Sequence, residues 1–113
     1  MTSGDAEEAK LITLARGARS RVSAAEGAAV RDETGRTYSA ANVALPSLAL
    51  TAASLAVAIA AASGSRGLEA VVISTDAPML NDGDRAVITD FAGSGIPIVL
   101  VTATGAETAR LTS

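Results

Sequence analysis

Asn81-Asp82-Gly83-Asp84 places an amide and two carboxylates within four consecutive residues, and Asp32-Glu33 forms a second acidic pair. Carboxylates this close can hold a divalent cation or divide acid and base duties between them. The chain has no Cys and no His. The thiolate and imidazole ligands of ordinary zinc sites are therefore absent, as is the base of a Ser-His-Asp or Cys-His arrangement. Proton transfer would fall to carboxylates, Lys10 or Tyr38. The spacing of Asn81, Asp82 and Asp84 is similar to the start of a calcium loop, but the later Glu is missing and helix capping is a sufficient account. Both acidic pairs fall in predicted turns, where solvated carboxylates are the norm, and neither is read as catalytic.

The elements that must position these groups follow from periodicity. Leu11, Ile12, Leu14, Ala15 and Ala18 recur near helical spacing and predict a first helix over Glu7 to Arg21, capped by Asp5. Gly27 to Arg31 and Arg36 to Val43 read as strands joined by the turn Asp32-Glu33-Thr34-Gly35. Pro46 introduces an Ala-rich second helix, Ser47 to Ser63, which ends near Gly64-Ser65-Arg66-Gly67. Leu68 to Thr75 is a Val- and Ile-rich strand. Asn81 to Asp84 then caps a third helix, Arg85 to Ala92, stopped by Gly93 and Gly95. Ile96 to Thr102 reads as another buried strand and Ala109 to Thr112 as a short edge strand. The order predicts a single α/β domain over residues 1–113, a three-layer α-β-α sandwich with one mixed sheet of four to five strands.

Composition excludes several functions. Tyr38 and Phe91 are the only aromatic residues and the net charge is −3. The chain therefore lacks both the stacking surface and the basic face that nucleic-acid binding needs. Thr37 to Ser65 contains no charged residue, a length that could span a bilayer. It also contains Asn42, Pro46 and many Ser and Thr, and no basic cluster or aromatic belt flanks it. No membrane span is expected. The first ten residues carry Asp5, Glu7 and Glu8 before Lys10, unlike a secretory signal, so a cytoplasmic location is expected.

Several motifs, in order and nearly ungapped, resemble the small cytidine deaminases. Glu26-Gly27-Ala28-Ala29-Val30 resembles the family's V-G-A-A-L. Thr34-Gly35-Arg36-Thr37-Tyr38 resembles D-G-[RK]-x-[YF], and Asn42-Val43 begins an N-[VI]-E-N segment. Arg85 to Phe91 resembles R-Q-V-[IL]-x-E-[FL], and Ile98 to Val101 the strand after it. The resemblance implies a zinc-dependent site in which a helix supplies C-A-E and the next helix start supplies P-C-x-x-C. Counted from Asn42, the C-A-E positions are Ala53, Ser54 and Leu55; aligned through Arg85, the remaining Cys positions are Asn81 and Asp84. All three ligands and the proton-shuttling Glu are replaced. The ribose-binding N-x-E keeps Asn42 but has Ala44, and a base-packing Phe falls at Ala24.

The expectation is a pseudoenzyme with no cofactor and no metal, acting as an oligomeric structural or partner-binding protein. A small-molecule module with a remodelled nucleoside pocket around Asn42 is the alternative. An unrelated chemistry using Asn81, Asp82 and Asp84 is a third reading. Asn42 and Ser54 also have plain readings, as a turn residue and as a mid-helix packing residue. The former metal cavity is expected to be filled by apolar packing around Ala53 and Leu55. The second helix carries no charge on any face, which predicts a homo-oligomer, a dimer or tetramer. Ala49, Ala52, Ala53, Ala56 and Ala60 would admit a partner's backbone.

Overall fold

The computed structural model describes residues 3–113. In β1 (Glu26–Asp32) Ala28 and Val30 face one side of a sheet and Ala29 the other. The same alternation runs through β5 (Leu68–Thr75), where Val71 and Ile73 oppose Val72, and through β6 (Pro97–Val101), where Ile98 and Leu100 oppose Val99 and Val101. Successive strand residues point to opposite faces, so three adjacent strands with apolar residues on both faces must be covered twice.

Helix α1 (Ser3–Arg21) covers one face with Leu11 and Ala15. Helices α2 (Ala52–Ala62) and α3 (Asp82–Ala92) cover the other, α2 through Ala52, Ala53, Ala56, Val57 and Ala60, α3 through Ile88. The five-stranded sheet has the order β2-β1-β5-β6-β7, completed by β2 (Thr37–Ala41) and β7 (Glu107–Thr112). Only β5 and β6 pair in parallel, with α3 as their crossover; the other pairs are antiparallel. This is the predicted α-β-α sandwich with a mixed sheet.

Gly27 permits the close contact of α1 with β1. A Cβ there would overlap the carbonyl oxygen of Ala15 and lie 2.8 Å from Arg19 Cβ.

The segment before α2 differs from expectation. Instead of helix from Ser47, the chain forms a small hairpin, β3 (Val43–Leu45) with β4 (Leu48–Leu50), turning at Pro46-Ser47. The predicted strand to Val43 divides at Asn42, which lies between β2 and β3. Pro46 lacks the amide hydrogen a ladder needs and is held at a turn-compatible φ, so it sits between the paired strands rather than inside one. The true start of α2 is one residue after Thr51, which supplies the N-cap.

A second correction concerns the alanines. Ala52, Ala53, Ala56 and Ala60 pack inward on the sheet, and only Ala49, in the hairpin, is exposed. Small side chains here bring the helix close to its own sheet. Among the described residues no helix is long and apolar enough to cross a membrane.

Candidate functional site

The N-termini of α2 and α3 converge on one carboxylate. Thr51 Oγ1 caps α2 by accepting from the Ser54 amide at 3.1 Å. Asn81 Oδ1 caps α3 by accepting from the amides of Gly83 at 2.7 Å and Asp84 at 3.2 Å. The Thr51 hydroxyl then donates to Asp84 Oδ1 at 2.5 Å, and the Ser54 hydroxyl donates to the same oxygen at 3.3 Å. Asp84 is 3% exposed. The two hydroxyls thus meet one carboxylate oxygen at the positive ends of two helices, as charge-assisted hydrogen bonds.

This arrangement overturns two readings of the sequence. Asp84 is not a solvated turn residue, although Asp82 beside it is exposed. Ser54 is not a mid-helix packing residue; it lies in the first turn of α2 and faces Asp84. Ala53 is buried and Leu55 is half-buried against the main core. The expected apolar packing is therefore present at those two positions, but the polar clasp of Thr51, Ser54 and Asp84 stands beside it.

Asp84 opens onto a cavity of about 200 Å³ whose wall also includes Glu26, Thr75, Asn81, Ile73 and Leu80. A second cavity, about 240 Å³, is lined by Glu26, Asn42, Leu50 and Thr51 among others. Glu26 belongs to both walls. Its Oε2 accepts from the Thr75 hydroxyl at 3.3 Å. Asn42 Oδ1 accepts from the Glu26 amide at 2.9 Å, and the Asn42 amide donates back to the Glu26 carbonyl at 3.4 Å. Asn42 thus fastens the start of β1 while bordering the second cavity, so the plain reading and the binding reading describe the same residue. Ala44 is exposed in β3, Arg85 is exposed on α3, and the Ala24 carbonyl accepts from Arg19 Nε at 3.3 Å.

Glu26 and Thr51 escaped the sequence reading. Thr51 carried a usable signal, a hydroxyl residue directly before an apolar helical run. Glu26 had none, because a carboxylate at a strand start reads as solvent-facing.

The other acidic pair lies at the opposite end of β1. Asp32 is buried and accepts from Ser65 Oγ at 2.6 Å, Thr34 Oγ1 at 2.8 Å, and the Thr34 and Arg36 amides at 2.9 Å each. The Ser65 hydroxyl, followed by the Thr34 and Arg36 donors, outweighs burial and holds the carboxyl well below its usual range. Glu33 accepts from the Arg66 amide at 2.8 Å. Together they join the β1–β2 turn to the loop after α2. These are structural roles, and the reading of Asp32 as solvated is corrected. Among the described residues no three acidic, His or Cys side chains gather closely enough to hold a metal ion.

The cytidine deaminase-like family model matches residues 4–105. The chain belongs to the cytidine deaminase-like family. Among solved structures it is similar to a cytidine deaminase from Burkholderia pseudomallei, with a TM-score of 0.76, 23% identity and coverage of 92% of this chain and 89% of that one. The cytidine deaminase from Mycobacterium leprae gives a TM-score of 0.68 at 23% identity over 91% and 90% of the two chains. That from Mycobacterium tuberculosis gives 0.65 at 25% identity over 79% and 80%. No curated protein matches the sequence.

Zinc, which the family resemblance implies, does not fit the groups at the corresponding positions. Ala53 offers no donor atom. Asn81 Oδ1 is committed to two amides, and one oxygen of Asp84 is committed to two hydroxyls. A four-coordinate site needs more donors than the remaining carboxylate oxygen provides. In this cytidine deaminase-like chain, hydrogen bonds join the two helix starts directly.

Proposed function

We propose that the chain is a non-catalytic cytidine deaminase-like protein of the cytoplasm, acting as an oligomeric structural or partner-binding protein. The observation that carries this reading is the Thr51–Asp84–Ser54 clasp: of the former ligand and shuttle positions, Ala53 and Leu55 are apolar, Asn81 caps its own helix, and Asp84 accepts from Thr51 and Ser54. Activation of water for attack on a base requires a metal or a poised acid–base group, and the loss of such a group costs about two to four powers of ten in rate. Elemental analysis of purified protein, with a cytidine and deoxycytidine deamination assay, tests the reading. Less than stoichiometric zinc and no turnover are expected; zinc-dependent turnover would falsify it.

Leu45 and Leu48 support the oligomeric part. They are 59% and 49% exposed on the hairpin that leads into α2, and neighbouring exposed apolar side chains favour a covering partner. A second copy is the proposed cover, giving a dimer or tetramer. A pull-down from the native host adds or removes a heterologous partner.

A second reading, a small-molecule module, is favoured by the two cavities that share Glu26, one of them bordered by Asn42. Calorimetric titration with a panel of nucleosides and other small molecules tests it.

A further inference from the structure

We propose that the cavity between Glu26 and Asp84 takes a small organic cation, an ammonium or amidinium group on a short apolar body. This rests on the second reading, that the remodelled pocket binds a small molecule, and specifies the class of that molecule.

The argument begins with hydrogen-bond accounting at Asp84. Its Oδ1 receives both hydroxyls, whereas Oδ2 has no hydrogen-bond partner among the described residues, and it is not sealed away among the unsatisfied buried atoms. The residue is only 3% exposed and lines the cavity of about 200 Å³. The free oxygen is not sealed from solvent, and this cavity is a space that its residue lines. A donor entering the cavity would therefore take the place of water at that oxygen.

The rest of the wall selects the kind of donor. Glu26 uses Oε2 toward Thr75 and leaves Oε1 without a hydrogen-bond partner among the described residues. Asn81 has turned its carbonyl toward its own helix. Among the described residues no Lys or Arg lines this cavity. Its unengaged charged groups are thus both acceptors and both negative. A phosphate or carboxylate ligand would be repelled, and a neutral hydroxyl could donate to a carboxylate but would leave its charge unpaired. A cationic N–H donor adds ion pairing to the charge-assisted hydrogen bond with either carboxylate. Ile73, Leu80 and Leu100 supply the remaining surface, which suits a short alkyl chain or a ring.

The test is calorimetric titration of the purified chain at neutral pH with n-butylammonium and benzamidinium. Butan-1-ol and benzamide serve as neutral counterparts, and cytidine as the nucleoside. Saturable binding of one cation is expected, at least tenfold tighter than its neutral counterpart. Glu26→Gln and Asp84→Asn should each weaken it at least tenfold. Asp84→Asn also weakens the clasp, so circular dichroism accompanies both variants, and Glu26→Gln decides the matter if Asp84→Asn does not fold. Cation binding that survives Glu26→Gln unchanged in folded protein overturns the proposal as adventitious. Cytidine binding without cation binding overturns the proposal and leaves the small-molecule reading standing. If no small molecule of either panel binds, both fall.

Discussion

Thr51 precedes α2 and Asp84 lies in the first turn of α3, yet the hydroxyl of one donates to the carboxylate of the other at 2.5 Å. A bond between two helix starts couples their capping: Thr51 closes its own helix and restrains its neighbour at once. Thr51→Ala should cost about 1–2 kcal/mol as a lost cap. Asp84→Ala should cost about 1.5–3 kcal/mol as a lost charged hydrogen-bond partner. In a double-mutant cycle read by urea unfolding, a coupling of about 1 kcal/mol or more is expected. Strict additivity would mean that the two residues act independently.

Asp32 predicts an acid dependence. Its carboxyl is held below its ordinary value in the folded chain, chiefly by Ser65. The stabilisation is present above the unfolded carboxylate range, about 3.9, and is lost as pH falls through the lower folded value. Asp32→Asn should therefore be less stable than the parent at pH 7, with the gap narrowing below about pH 4. Urea midpoints at pH 7 and pH 3 measure it; a gap that stays constant would assign the effect to packing.

Gly27→Ala should destabilise the chain by about 3 kcal/mol, because the added methyl meets backbone of α1 rather than a movable side chain. Thermal unfolding gives the answer directly. A shift within error would show that α1 can lift from β1 without penalty.

The proposed assembly is tested at the hairpin rather than on the inward face of α2. Ala56 is fully buried, so a charge there would report on folding alone. Leu48→Glu alters an exposed position; light scattering at micromolar concentration should show a dimer or tetramer for the parent and a smaller species for the variant. A parent of monomer mass would refute the assembly.

The central strands were legible because Val71-Val72-Ile73 and Ile98-Val99-Leu100 leave no alternative to a sheet buried on both faces. Asn81 was legible as a cap because side-chain preference at that position is local. The hairpin was not: Leu48-Ala49-Leu50 continues smoothly into the alanine run, and its short pairing with Val43 to Leu45 depends on a turn and not on a period. The candidate site was legible as a set of missing ligands. Its replacement was hidden, because the Thr51–Asp84 bond joins residues 33 apart in sequence. Local pattern carries no information about such a pair.

The order of the sheet has a consequence during synthesis. Strand β1 leaves the ribosome early, but one of its neighbours is β5, and the apolar side of α1 is covered partly by Val72, Val99 and Val101. The first helix and the first two strands therefore wait, with Leu11 and Ala15 incompletely shielded, until β5 and β6 have been translated. Contacts of such long sequence separation form late and leave apolar surface open meanwhile. A nascent chain halted between β4 and β5 would present that surface to chaperones, whereas one released after β6 could already shelter it.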